Sequence, residues 1–214
     1  MDGADHLGQP VMDVLLPPGG EGPGVLLAHP WWGLNRTIRD YGMALSREGF
    51  VVGLADLFGG ETATEIDAAE GLIRKHWNGA GPGIEAALGE LGRHSAVTSP
   101  QLGAIGFSFG GFHLLASLDE DLPLAGLVTY YATHPLRGTH APVLAHFAAD
   151  DDFESAADVA AMTAALKAAG PPNATETYPS TKHWFAEADR PEYVEAAAEL
   201  AFGRTVTFLH NRLG

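Results

Sequence analysis

One short segment constrains this chain more than any other: at residues 101–113 an apolar run meets a helical pattern through a Gly-x-Ser-x-Gly turn centred on Ser108. Such a turn holds its serine in a strained backbone, and side chains two residues to either side would collide with the neighbouring strand and helix. Gly106 and Gly110 fit this requirement. The N-terminus of the following helix directs free N–H groups at the site, where they would stabilise a developing oxyanion. The turn therefore predicts that Ser108 is a nucleophile, with the Phe109 N–H as one oxyanion donor.

The same turn has an alternative interpretation, as a purely structural turn or as part of a nucleotide-binding site, because glycine-rich strand-to-helix turns also bind dinucleotides. That fingerprint requires glycine at the third position of the turn, where this chain has Ser108. The residue at the centre of the turn thus favours a nucleophile over a dinucleotide site.

Short apolar runs of β type alternate with longer helical patterns along the chain, which is typical of a parallel sheet connected by helices. The expected strands are residues 11–16, 24–28, 51–54, 102–105, 125–131, 143–148 and 174–178. The expected helices are residues 36–48, 61–76, 84–91, 110–118, 156–168 and 191–210, with the glycine-rich stretch 78–83 interpreted as a turn between two helices. The pattern predicts an α/β fold in a single domain over residues 1–214, with helices on both faces of a mostly parallel sheet.

The amino-acid composition and charge of the chain exclude several kinds of site and partner. The chain has no cysteine, which excludes disulfides, thiolate metal sites and a cysteine nucleophile. Its 27 acidic and 12 basic residues give a formal charge of -15, which would repel nucleic acid and anionic membranes. The acidic N-terminus does not resemble a signal peptide, and no apolar run approaches the length of a membrane span. We expect a cytoplasmic protein, monomeric or homodimeric, without a nucleic-acid or membrane partner.

A serine nucleophile needs a base and an acid that orients it, and in a fold of this kind both follow it in the order acid, then histidine. Three aspartates, Asp150, Asp151 and Asp152, come directly after the apolar run 142–149. One of them is expected to orient the base, while the other two form a solvated turn or cap the next helix. His183 lies in a loop between a β-type run and the last helix, and is the predicted base.

The chain has ten histidines, and the other nine fit the role of the base less well. Three lie in or beside apolar runs and are expected in the core: His29, His113 and His146. Five are expected at the surface: His6, His76, His94, His140 and His210. His134 follows a strand and could line the substrate pocket, but it precedes the acid. No histidine or carboxylate spacing predicts a metal site, and no cofactor is expected.

Several motifs together resemble the dienelactone hydrolase family of α/β-hydrolases. The similarity runs nearly end to end, and its motifs lie at residues 27–35, 49–58, 106–111, 149–153 and 183–185. The resemblance implies the α/β-hydrolase fold and hydrolysis of a small ester or lactone through an acyl-enzyme. The alternative is a protein of the same fold that binds a small molecule without turnover.

The family pattern also implies roles for individual residues. Its spacing of acid, one residue, then phenylalanine places the catalytic acid at Asp151, and its histidine falls on His183. A second oxyanion donor is implied at the backbone N–H of Trp31 or Trp32. The substrate pocket is expected to include Trp32, Trp184 and His134, although the indoles could also serve as a packing surface.

Three departures from the family pattern bear on the substrate. Ser108 replaces the usual cysteine nucleophile, Pro30 replaces the usual glutamate, and Glu187 occupies the position of an arginine that grips a substrate carboxylate. We expect Glu187 to repel an anionic substrate, which favours a neutral ester or lactone.

Overall fold

The computed structural model describes residues 12–118, 122, 124–137 and 141–214. Seven strands form one sheet in the order β1-β3-β2-β4-β5-β6-β7. They are β1 (Met12–Leu15), β2 (Gly24–Ala28), β3 (Val51–Ala55), β4 (Leu102–Phe107), β5 (Leu124–Tyr130), β6 (Val143–Ala148) and β7 (Ala174–Tyr178). Only the edge strand β1 is antiparallel to its neighbour within this sheet, and all other pairs are parallel.

Five helices cover the two faces of the sheet: α1 (Arg36–Arg47), α2 (Ile66–Gly92), α3 (Phe109–Ser117), α4 (Ala156–Ala169) and α5 (Glu195–Leu213). Consecutive strand residues point to opposite faces. A Cβ at Gly53 would contact Leu91 of α2, whereas the Leu54 side chain lies against Gly42 of α1. The two helices therefore pack on opposite faces. In the described part of the chain, no helix is both long and apolar enough to cross a membrane.

The expected α/β fold with a mostly parallel sheet is confirmed, and every expected strand is present within two residues of its expected bounds. Their apolar composition explains this agreement, because β2, β3, β4 and β6 are buried along their whole length. Val11, the first residue of the first expected strand, lies outside the described residues.

The expected turn at residues 78–83 is wrong, because α2 runs without interruption through it and contains Pro82. Glycine and proline disfavour a helix locally, but packing against the rest of the molecule outweighs propensity. Ala80 and Ile84, on either side of the proline, are fully buried. The helix also begins at Ile66 rather than residue 61, and the last helix begins at Glu195 rather than residue 191.

The parallel strands bring several predicted site residues to one edge. Ser108 follows β4, Asp151 comes three residues after β6, and His183 lies in the loop after β7. Because these strands are parallel, their carboxyl ends meet at the same edge of the sheet. The fold thus places the predicted nucleophile, acid and base on neighbouring loops.

Candidate active site

Ser108 lies in the sharp turn that the sequence predicts. Its backbone has φ 43° and ψ -108°, a conformation that non-glycine residues rarely adopt. The Ser108 N–H donates to the Tyr130 carbonyl at 2.9 Å, at the end of the adjacent strand β5. Strain of this kind persists only where the surrounding structure enforces it, and it is concentrated at functional sites.

The two glycines that flank Ser108 are required by close backbone contacts. A Cβ at Gly106 would lie 2.5 Å from the backbone of Gly111, and a Cβ at Gly110 would lie 2.7 Å from the backbone of Ala28 and His29. No side chain fits at such distances from a backbone. The glycines therefore let α3 start directly against the ends of β2 and β4.

The structure brings Ser108, His183 and Asp151 into a single hydrogen-bonded chain. The Ser108 Oγ lies 3.0 Å from Nε2 of His183, and the opposite ring nitrogen, Nδ1, lies 2.9 Å from both carboxylate oxygens of Asp151. The side chains of His183 and Asp151 are only 4% and 6% exposed. With Nδ1 protonated toward Asp151, Nε2 is free to accept the proton of the serine hydroxyl.

The three neighbouring aspartates have different environments. Asp151 Oδ1 accepts from the N–H groups of Phe153 at 2.9 Å and Glu154 at 3.0 Å, which fix its orientation. The side chains of Asp150 and Asp152 are 73% and 72% exposed, and each lies 3.5 Å from the Lys182 ammonium group. Only Asp151 of the three is directed at the imidazole.

Opposing effects act on the Asp151 carboxyl. Burial raises its pKa, but the hydrogen bond and charge of His183, together with two backbone N–H donors, outweigh burial and lower the pKa below its ordinary value. Asp151 is therefore ionised at neutral pH, as a group that holds an imidazole N–H must be.

The backbone N–H groups that the sequence predicts as oxyanion donors have no acceptor among the described residues. Phe109 is the first residue of α3, so its N–H has no acceptor within the helix, whereas the Gly110 N–H is taken by the His29 carbonyl at 3.1 Å. The turn that starts at Pro30 is closed by the bond from Gly33 N–H to the Pro30 carbonyl at 3.1 Å. Trp31 and Trp32 are the central residues of this turn, and their N–H groups have no acceptor among the described residues.

Aromatic side chains surround His183. Phe153 packs on the imidazole with ring centroids 5.0 Å apart and is 47% exposed. Trp31 stacks on Trp184 at 5.7 Å, and Trp32 contacts both indoles. Trp184 packs on His183 with ring centroids 5.3 Å apart, and both Trp184 and Trp32 are almost completely buried, whereas Phe153 presents its ring to solvent. The role of the two tryptophans in a substrate pocket stays a prediction.

His134 lies apart from this group. Its ring packs on Phe112 with centroids 5.2 Å apart, and it lines a cavity of about 430 Å³ between α3 and α4. No hydrogen bond or ring contact among the described residues joins it to Ser108, Asp151 or His183. Its role as a pocket residue therefore stays a prediction.

Glu187 does not present a charged carboxylate to the site, so the expected repulsion of an anionic substrate is not supported. The residue is completely buried, and its Oε1 accepts a hydrogen bond from the Tyr131 hydroxyl at 2.8 Å. Burial raises the pKa of this carboxyl to about 8, against an ordinary value of 4.5. Near pH 7 the group is mostly protonated and uncharged.

Sequence reasoning missed two neighbours of the site. Tyr131 is completely buried, and its ring lies 4.7 Å from that of His183. Glu154 accepts a hydrogen bond from the Thr133 hydroxyl, and burial raises its pKa to about 7. Only a three-dimensional contact distinguishes these residues, because a tyrosine that directly follows a strand and a glutamate that precedes a helix are ordinary in sequence.

The buried Glu187 carboxyl leads to a prediction for stability. Its pKa is about 8 in the folded chain and 4.5 when solvated, so the folded state binds more protons between these values. The stability contributed by this group is complete below about pH 4.5 and is lost as pH rises through about 8, a change on the order of a few kcal/mol.

Replacement by glutamine removes this titration. We expect the melting temperature of Glu187→Gln, relative to wild type, to rise between pH 5 and pH 9. Scanning calorimetry at pH 5, 7 and 9 measures the difference, and effects of other titrating groups cancel because both proteins share them. A difference that does not change with pH would show that Glu187 is not a buried, protonated acid.

The three histidines expected in the core, His29, His113 and His146, are all buried, and the Nε2 of His113 has no hydrogen-bond partner among the described residues. His29 and His146 are completely buried and hydrogen-bonded, and burial lowers their pKa values to about 4 and about 3. His6 and His140 lie outside the described residues. Within residues 12–118, 122, 124–137 and 141–214, no group of three histidine, aspartate or glutamate side chains is arranged to hold a metal ion.

Comparison with known proteins is consistent with this geometry. The family model described as the dienelactone hydrolase family matches residues 13–213. A protein of Azospirillum brasilense, provisionally named a carboxymethylenebutenolidase, is 29% identical over 92% of this chain and 90% of its own length.

Solved structures share the fold. A dienelactone hydrolase-like promiscuous phosphotriesterase from metagenomic libraries has a TM-score of 0.84 at 20% identity, over 96% of this chain and 93% of that one. Esterase 2 of Thermogutta terrifontis, solved after phosphorylation by paraoxon, has a TM-score of 0.70 at 12% identity, over 94% and 88% of the two chains. With a family match along nearly its whole length, the chain belongs to the dienelactone hydrolase family of α/β-hydrolases and is a carboxylic ester hydrolase.

Proposed function

We propose that this chain hydrolyses small, neutral esters or lactones through an acyl-enzyme on Ser108, with His183 as the base and Asp151 as the residue that orients it. One observation carries the proposal: the chain of hydrogen bonds from the Ser108 Oγ through both His183 nitrogens to Asp151, at 3.0 and 2.9 Å. A serine hydroxyl is too weak an acid to be held as an anion, so its attack requires a base in this position.

In the first step the Ser108 Oγ attacks the carbonyl carbon while His183 Nε2 takes the hydroxyl proton. The carbonyl π electrons move to oxygen, and the resulting oxyanion accepts hydrogen bonds from the N–H groups of Phe109 and Trp31. These donors are fixed before the reaction, by the start of α3 and by the turn at Pro30, so little reorganisation is needed. Ionised Asp151 stabilises the imidazolium that forms.

In the second half the tetrahedral intermediate collapses. His183 returns its proton to the leaving oxygen, the carbon–oxygen bond breaks, and an acyl ester remains on Ser108. A water molecule then attacks this ester with His183 again as base, which releases the acid and restores the serine. For a lactone, the leaving alcohol and the acid are parts of one product.

The charge of the chain supports a neutral substrate. Its formal charge is -15. Among the described residues, two cations near the site are paired with aspartate: Lys182 with Asp150 and Asp152, and Arg190 with Asp189. The exposed ring of Phe153 beside His183 offers an apolar contact for the substrate. The reaction type agrees with named relatives: one from Bradyrhizobium sp. is provisionally a 2-oxo-3-(5-oxofuran-2-ylidene)propanoate lactonase, and others are esterases. The propanoate in that name is anionic, so the preference for a neutral substrate is proposed from the charges of this chain alone.

A panel of p-nitrophenyl esters and small lactones tests this proposal. The sharpest comparison is a matched pair, p-nitrophenyl pentanoate and mono-p-nitrophenyl glutarate, which have the same acyl chain length and differ by one carboxylate. We expect kcat/KM to be higher for the neutral ester by about tenfold or more at low salt, and the ratio to shrink in high salt because of screening.

The alternative, a small-molecule binding protein without turnover, predicts no hydrolysis of any member of the panel above the Ser108→Ala background. A preference for the anionic ester would instead show that a cation reaches the substrate carboxylate. Either result would require revision of the substrate class or of the activity.

A further inference from the structure

The contact between Glu187 and Tyr131 is buried beside the catalytic base and has no part in the chemical steps above. Both residues are 0% exposed, and the Tyr131 hydroxyl donates to Glu187 Oε1 at 2.8 Å. The other oxygen, Oε2, is buried without a hydrogen-bond partner among the described residues. Burial of a carboxyl group is unfavourable, so packing alone does not account for glutamate at this position.

Tyr131 connects this contact to the base. Its ring lies 4.7 Å from the His183 ring, between centroids, and its backbone is in the left-handed region with φ 39°. The Tyr131 N–H donates to the His146 carbonyl on the adjacent strand β6 at 2.7 Å. The tyrosine is therefore fixed to the sheet at its backbone, touches the imidazole with its ring, and holds Glu187 with its hydroxyl.

Glu187 connects the contact to the loop that carries the base. Trp184, the residue directly after His183, is left-handed with φ 67°, and its carbonyl accepts from the Glu187 N–H at 2.9 Å. A left-handed tryptophan is strained and persists only if its surroundings hold it. The Glu187 backbone closes this turn, and its side chain ties the turn to Tyr131 on the sheet.

We propose that Glu187 and Tyr131 are positioning residues that hold the His183 imidazole in line with Ser108, and that Glu187 acts in this role as an uncharged carboxylic acid. The inference rests on the proposed function, because it assigns His183 as the base. An uncharged acid accepts the Tyr131 hydrogen bond without leaving a carboxylate charge buried on an oxygen that has no partner among the described residues.

The neutral form is set by the groups that face Glu187. Burial is the largest influence on the Glu187 carboxyl and raises its pKa, and the charges of Asp189 and Glu192 raise the pKa further. The Tyr131 hydrogen bond and the charge of Arg190 act in the opposite direction and lower the pKa. Together these effects give a pKa of about 8. Above that pH a carboxylate forms in a buried site with Tyr131 as its only hydrogen-bond partner among the described residues. We expect the turn after His183 to loosen and kcat to fall.

Four variants test the proposal with a p-nitrophenyl ester as substrate. Tyr131→Phe removes the donor, Glu187→Leu removes the acceptor, and Glu187→Gln keeps an acceptor that cannot ionise. Thr129→Val is the matched control, because Thr129 lies in β5, is completely buried, and has an Oγ1 without a partner among the described residues. Ser108→Ala reports separately on the proposed nucleophile.

We expect Tyr131→Phe and Glu187→Leu each to lower kcat by about tenfold or more with KM little changed, within the roughly 100-fold loss that a misplacement of about 1 Å can cause. The double variant should be no worse than the singles by more than about twofold, because both break one contact. Glu187→Gln should keep kcat at pH 7 and should lack the loss of kcat that wild type shows above about pH 8.

Several results would overturn the proposal. They are kcat within about twofold of wild type for Tyr131→Phe, equal damage from Glu187→Gln and Glu187→Leu, or an equal loss of kcat in Thr129→Val. If Glu187→Leu does not fold, the pH profile of kcat for Glu187→Gln still tests whether Glu187 acts as an uncharged acid. Failure of the proposed function is distinct, since it appears as turnover that survives Ser108→Ala.

Discussion

Substitution of Ser108 or His183 by alanine is expected to lower ester turnover by orders of magnitude while the fold stays intact. The two side chains form one hydrogen-bonded unit at 3.0 Å, and the hydroxyl proton must reach the imidazole for the oxygen to attack. Because they act in the same step, the double variant should be little slower than either single variant. Steady-state kinetics on a p-nitrophenyl ester measures the losses, and circular dichroism checks the fold.

His94→Ala is a matched control for the histidine. His94 follows α2, before β4 begins, and its Nδ1 accepts a local backbone N–H, that of Ala96 at 3.2 Å. This variant should turn over ester at the wild-type rate. If either Ser108→Ala or His183→Ala kept more than roughly a tenth of wild-type kcat, the assignment would be wrong, and losses that multiply in the double variant would mean that the residues do not share a step.

The second large effect is expected within the three consecutive aspartates. Asp151→Asn should lower kcat by orders of magnitude, because an asparagine amide can hold the imidazole in the wrong tautomer and cannot stabilise the imidazolium. Asp150→Asn and Asp152→Asn should stay close to wild type, because their exposed side chains contact Lys182 rather than His183. The comparison is matched, since each substitution removes the same charge and nearly the same volume.

The pH dependence of kcat/KM adds a check on Asp151. Its folded pKa lies below the ordinary value, so the carboxylate persists well into the acidic range. Loss of wild-type activity in mildly acidic solution should therefore not arise from protonation of Asp151. A greater loss in Asp150→Asn than in Asp151→Asn would contradict the orientation of the base by Asp151.

The sequence was sufficient to predict the sheet and the approach of the three site residues. Buried parallel strands are apolar on both faces, so each appears in the sequence as a continuous apolar run that differs from the helical patterns around it. The glycines around Ser108 identify the turn at the end of β4. The choice among the aspartates was different. Composition and spacing left all three open, and only the family pattern selected Asp151, the residue that the structure directs at His183.

Features that depend on tertiary packing could not be predicted from the sequence. Residues 78–83 contain the strongest helix-breaking types, yet burial of Ala80 and Ile84 on either side of Pro82 keeps α2 continuous. Glu187 was expected to act as a charge, because the sequence does not show that the loop folds inward and places the carboxyl against Tyr131. Both features depend on burial in the folded molecule, which the local sequence does not show.

Covalent labelling with a fluorophosphonate ester, followed by peptide mass mapping, tests the serine nucleophile most directly. The reagent reacts with an activated serine and leaves a stable phosphonyl adduct. We predict one adduct per chain, located on Ser108, with ester turnover lost in proportion to labelling and with much slower labelling in His183→Ala. Continued ester hydrolysis by the treated protein without an adduct on Ser108, or an adduct on another residue that accounts for the loss of activity, would contradict the role of Ser108.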